Sequence, residues 1–161
     1  MSFKGEKLSL SQPFGSYVME NVLFKISFPA EFHAQTAVEA AVTLHPQIKD
    51  KLAEISNIEV TTHESAIRII SKSGQLNNPA DRDHCLQYMI AIGLIHGDLI
   101  AEHYEDDAAS DPRIDELRAK MTIKEDQRYT NEYLEAEKRS IANKIQIFFN
   151  DGTSTDAIEV E

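Results

Sequence analysis

The chain has no tryptophan, a single cysteine, six glycines and five prolines among its 161 residues. The lone Cys85 excludes an internal disulfide and any multi-cysteine zinc or iron–sulfur site, and it suits a reducing, cytoplasmic setting. Long apolar runs are missing as well. The longest, Met89-Ile90-Ala91-Ile92-Gly93-Leu94-Ile95, falls far short of the roughly 20 residues that span a bilayer, so no membrane association is expected. Basic residues are scarce: 16 against 27 acids leave a formal charge of −11. A bare phosphate backbone would be repelled, which argues against a nucleic-acid partner. The chain also lacks G-x-G-x-x-G, a P-loop, H-E-x-x-H and G-x-S-x-G. Its six histidines never stand at the i, i+4 spacing of a helical metal pair, so neither a cofactor nor a metal is expected.

What is present suits one α+β domain of helices on a small sheet, with a hydrophobic share of 42% to fill its core. Residues 1–16 have no apolar period and read as a flexible leader or linker, with the domain over 17–161. The alternation Phe24-Lys25-Ile26-Ser27-Phe28 predicts a strand closed by Pro29, and Pro29-Ala30-Glu31 predicts a first helical turn. Ala34, Ala37, Val38, Ala41 and Val42 continue that helix until Pro46, which is expected to end it and start another through Ile48, Leu52 and Ile55. Ile58 and Val60 suggest a short strand, whereas 64–71 fits helix and strand equally. Asp81 is expected to cap a helix over about 82–96, apolar on all sides and therefore central. Asp111-Pro112 predicts a further helix start, 124–138 a surface loop, and Ile145 to Val160 a hairpin turning at Asn150-Asp151-Gly152.

Two groups of residues have chemical potential. His33, in a first helical turn, is placed to stay neutral and accept a proton, although a packed histidine beside Phe32 satisfies the same pattern. Asn77-Asn78-Pro79-Ala80-Asp81-Arg82-Asp83-His84 leads into Cys85 and Tyr88, so one helix start could present a carboxylate, an imidazole and a phenol together. Capping by Asp81 and a core role for Tyr88 explain those residues just as simply. Lys25 and Arg139 are cations suited to carboxylates, and Cys85 suits an inert packed thiol.

The runs Lys25-Ile-Ser-Phe-Pro-Ala-Glu-Phe-His33, Leu76-Asn-Asn-Pro-Ala-Asp-Arg-Asp-His-Cys-Leu-Gln-Tyr88, Asp111-Pro-Arg-Ile114 and Lys138-Arg-Ser-Ile-Ala-Asn143 occur in an order that resembles the C-terminal portion of the MmgE/PrpD family. The resemblance spans about 13–161. It implies the α+β lid of a two-domain hydro-lyase that dehydrates 2-methylcitrate to 2-methyl-cis-aconitate in propionate catabolism, without cofactor or metal. It further implies a tricarboxylate substrate held between this lid and a helical domain not contained in the chain, in a family that forms homodimers. Lys25, His33 and Tyr88 match cleft positions and become the expected catalytic groups, with Asn77, Arg82 and His84 expected to bind substrate. The alternative expectation is a binding or assembly module that kept the lid fold and lost catalysis.

Overall fold

The computed structural model describes residues 27–161. The expected leader and most of the strand before Pro29, Lys25 included, lie outside the described residues. Ser27 to Ala30 form a bend organised by the Gln35 side chain: its Oε1 accepts from the amides of Ser27 and Phe28, and its Nε2 donates to the carbonyls of Phe28 and Ala30. The Phe28 carbonyl also accepts the Ala30 amide at 2.8 Å, which closes a tight bend there, and helical winding starts not at Pro29 but in a 3-10 turn at Phe32–Ala34. Glu31 caps that turn by accepting the His33 amide at 2.8 Å.

Helix α1, Gln35–Ile48, runs straight through Pro46. Only the last turn is affected, where a missing N–H loses a single bond, so the expected second helix does not form. One 3-10 turn, Leu52–Glu54, leads into strand β1, Ile55–Thr62. A register shift between Ile55 and Asn57 lets Ile55 and Ile58 both be buried, which explains the helix-like spacing of the sequence there. The segment that fitted two structures is helix α2, Glu64–Ile70.

The expected helix over 82–96 is two helices. Asn78, not Asp81, caps α3, Pro79–Asp83, its Oδ1 accepting the Asp81 amide at 2.9 Å. The Asp81 carboxylate instead accepts the Asn77 amide at 3.0 Å. The extended backbone of Cys85 breaks the helical path, and α4, Leu86–His96, starts afresh. Every residue of α4 from Leu86 to Ile95 is buried, as an all-apolar helix requires. Helix α5, Pro112–Ala119, starts as expected under the Asp111 cap.

Residues 124–138 do not form a loop. They complete strand β2, Met121–Glu125, and make helix α6, Gln127–Leu134, capped by the Asp126 side chain on the Arg128 amide at 2.8 Å. That helix buries only Tyr129 and Thr130, a face too narrow to mark the sequence as helical. Strands β3, Asn143–Phe149, and β4, Ile158–Val160, pair antiparallel as expected. The turn at Gly152, with φ +84°, is the first part of a longer connection in which Thr155 pairs with Ile147. The sheet order is β2-β1-β3-β4, with β1 parallel to β2 and antiparallel to β3.

Helix α1 packs on β3 and β4 and also crosses α4, which in turn contacts α5. At the crossing, a Cβ on Gly93 would stand 2.9 Å from the Cβ of Ala41. One turn on, Gly97 adopts φ +70° under the His45 ring, whose Nδ1 lies 2.9 Å from the Leu94 carbonyl oxygen. Helix α4 thus ends on a left-handed glycine and an imidazole that meets a free carbonyl. Gly93→Ala should destabilise the chain by about 1–3 kcal/mol through overpacking. Urea unfolding will measure this, and an unchanged midpoint would show that the helices can separate freely.

Candidate functional site

His33 is the centre of a polar cluster built by four segments. Its backbone is held on both sides: Glu31 takes its amide, and the buried Asn143 side chain donates to its carbonyl at 3.0 Å, to Thr36 Oγ1 at 2.8 Å and to the Ile141 carbonyl at 3.0 Å. Strand β3 therefore fixes the turn that carries the imidazole. On the ring, Nδ1 lies 2.7 Å from Glu31 Oε1 and Nε2 lies 3.2 Å from the Tyr133 hydroxyl. Burial alone would raise the Glu31 pKa, but the hydrogen bond and charge of His33 outweigh it and the carboxyl lies below its ordinary value. The carboxylate on Nδ1 and the phenol on Nε2 fix the ring between two polar groups, an arrangement through which a proton can be passed.

His63, at the junction of β1 and α2, completes the cluster. Its ring is stacked on Tyr133 at 4.6 Å and lies 5.2 Å from His33. It is fully buried, and neither ring nitrogen has a hydrogen-bond partner. Burial, reinforced by the charge on His33, pushes its pKa down to about 4, with Glu31 opposing. His63 is therefore a neutral wall at ordinary pH.

Tyr88 and Arg82 occupy a different place. Both line a hollow of about 680 Å³ whose wall also includes Lys72, Leu76, Gln87 and Arg118. The Tyr88 hydroxyl donates to the His103 carbonyl at 2.7 Å, and burial, partly offset by Arg82, pushes its pKa up to about 12. Arg82 is also committed, with Nη1 donating to the Tyr104 carbonyl at 2.6 Å and Nη2 to Asp106 at 2.7 Å. His84 is exposed beside Asp83, its Nδ1 2.5 Å from the carboxylate, and Asn77 lies on the exposed loop before α3. Thus the structure brings Arg82 and Tyr88 to one hollow, whose lining does not include His33, Asn77 or His84.

Three members of the His33 cluster were not singled out from the sequence. Glu31 read as a helix-dipole acid, His63 as one of six dispersed histidines, and Tyr133 as part of a loop. A signal existed for the last: Asp126 is a cap residue, and Tyr129 and Tyr133 stand at i, i+4. Nothing local marks His63, whose neighbours are 30 and 70 residues away in the chain.

The fold and cluster belong to an α+β domain with a recognised lineage: residues 28–161 match the MmgE/PrpD C-terminal domain, and the chain belongs to that family. Among its relatives, the 2-methylcitrate dehydratase of Escherichia coli (strain K12) is 57% identical over 164 residues, covering 100% of this chain and 34% of the relative. The mitochondrial 2-methylcitrate dehydratase of Yarrowia lipolytica is likewise 57% identical over 162 residues, covering 98% of this chain and 31% of the relative. A 2-methylcitrate dehydratase-like protein of Aspergillus oryzae is 42% identical over 167 residues. The chain spans about a third of the length of these curated relatives.

The buried His63 generates a pH prediction. Its folded pKa of about 4 lies below the ordinary 6.5, so the folded state binds fewer protons than the unfolded one. The associated stability is present above pH 6.5 and is lost as pH falls towards 4, by up to about 3 kcal/mol. His63→Phe should flatten this part of the stability profile in urea titrations between pH 7 and 4; an unaltered slope would show that His63 does not carry it.

Proposed function

We propose that this chain is the lid portion of a hydro-lyase that dehydrates 2-methylcitrate to 2-methyl-cis-aconitate. The observation that carries the reading is 57% identity to a 2-methylcitrate dehydratase over the whole chain. The Glu31–His33 pair supports it, since the reaction needs a site that exchanges protons beside negative charge. Lys25 stabilises charge on a carboxylate at the reacting centre, and His33 serves the reaction by moving a proton. Tyr88 lines the cleft, where its phenolic oxygen accepts a hydrogen bond from a substrate hydroxyl, and Asn77, Arg82 and His84 orient the other carboxylates. The cleft closes against the part of the enzyme beyond this chain, so the isolated chain is inactive. The complete enzyme works in the cytoplasm and forms a homodimer.

The acidic balance of the chain makes local cations important. A tricarboxylate approaching a net charge of −11 must meet a locally positive wall, and Lys25 provides part of it. The test joins the N-terminal portion of the Escherichia coli relative to this chain. That polypeptide should dehydrate 2-methylcitrate, whereas this chain alone should not. Lys25→Ala in the joined protein should raise KM or lower kcat at least tenfold, a loss of about 1.4 kcal/mol in transition-state stabilisation. Turnover by the isolated chain would contradict the need for a partner portion, and unchanged kinetics would remove Lys25 from the site.

A further inference from the structure

We propose that Tyr133 is the group that delivers the proton to the departing hydroxyl, with His33 and Glu31 acting behind it. The inference rests on the dehydratase reading above. His33 is only 7% exposed, and both of its ring nitrogens already have partners. No free edge of the imidazole is left for a substrate. The partner on Nε2 is the Tyr133 hydroxyl, at 3.2 Å, and Tyr133 is half-buried rather than enclosed. A carboxylate, an imidazole and a phenol therefore form a chain from Glu31 through His33 to a half-buried tyrosine.

The other described tyrosines are not equivalent. The hydroxyls of Tyr88 and Tyr104 donate to the carbonyls of His103 and Pro29, and both rings are almost fully enclosed. Tyr129 is completely buried. Tyr133 alone among the described tyrosines combines exposure with an ionisable partner. Its ring is held in place by stacking on His63 at 4.6 Å with an interplanar angle of 21°, and its carbonyl accepts from Arg139 Nη1 at 3.3 Å. The buried, neutral face of His63 thus orients the phenol while offering it no competing hydrogen bond.

The proton balance is direct. When His33 is protonated, Nδ1–H faces Glu31 and Nε2–H donates to the phenol oxygen, leaving the phenol O–H free to point outward. A base from the part of the enzyme that closes the cleft beyond this chain takes the C–H proton of the substrate, and that electron pair becomes the new double bond. The C–O bond breaks as the phenol proton passes to the leaving oxygen, which departs as water. The phenol oxygen takes the Nε2 proton in the same movement, and His33 is left neutral with Nδ1–H still on Glu31. Solvent then restores the His33 proton.

The experiment uses the joined polypeptide described above and two substrates: 2-methylcitrate, and its analogue with fluorine in place of the departing hydroxyl. Fluoride leaves as an anion and needs no proton. Tyr133→Phe should lower kcat for 2-methylcitrate by about 10²–10³-fold, in the range of general acid catalysis, and lower kcat for the fluoro analogue less than tenfold. Equal losses on both substrates, or no loss on either, would overturn the proposal. If Tyr133→Phe does not fold, His33→Gln silences the same relay from behind and must show the split instead; equal losses there also overturn it. A joined polypeptide with no activity on 2-methylcitrate before any substitution would defeat the dehydratase reading itself, which separates the two failures.

Discussion

The close approach of α1 and α4 is the constraint on which the rest of the structure depends. Ala41 and Gly93 meet where any larger pair would push the helices apart. Because α4 is apolar on all sides, it must be covered everywhere, by α1 on one flank and α5 on another. Helix α1 can serve α4 only while its opposite side rests on β3 and β4. The small residues Ala34, Ala37, Ala40 and Ala41, all fully buried, keep both contacts of α1 short. The sheet, the central helix and the turn that starts α1 are therefore mutually fixed.

That rigidity is passed to the chemistry through polar side chains. Gln35 satisfies four backbone groups of the bend before α1, and Asn143 reaches from β3 to the His33 carbonyl. Each is a buried amide with several partners, a device whose removal would leave backbone groups unpaired. The first turn of α1 is held to the sheet by hydrogen bonds as well as by apolar contact. Glu31, His33 and Tyr133 then need little freedom of their own to stay aligned, since their elements cannot drift.

Much of the fold was legible along the chain. The all-apolar α4, the Asp111 cap of α5 and the pairing of β3 with β4 follow from periodicity and turn chemistry. Expectations failed where the chain satisfied its backbone in another way than the local signal suggested. Pro46 was absorbed in the last turn of α1, and Asn78 took the capping role because Asp81 was already engaged with Asn77. The bulge at Ile55 to Asn57 gave a strand the spacing of a helix. For the site, His33 was visible as a first-turn histidine, and Tyr88 and Arg82 as parts of a motif. Their separation between a buried cluster and a hollow was not visible, since motif order says nothing about distance.

By itself, the sequence determined the class of fold, the family and the segments that matter, because local periodicity, capping and ordered motifs are written in neighbouring residues. Only the tertiary structure decided which side chains meet. Tyr133 reaches His33 across 100 positions, and Asn143 reaches it across 110. Such contacts depend on how α1, α6 and β3 are packed together, and that arrangement is set by the burial of the whole core rather than by any stretch of the chain.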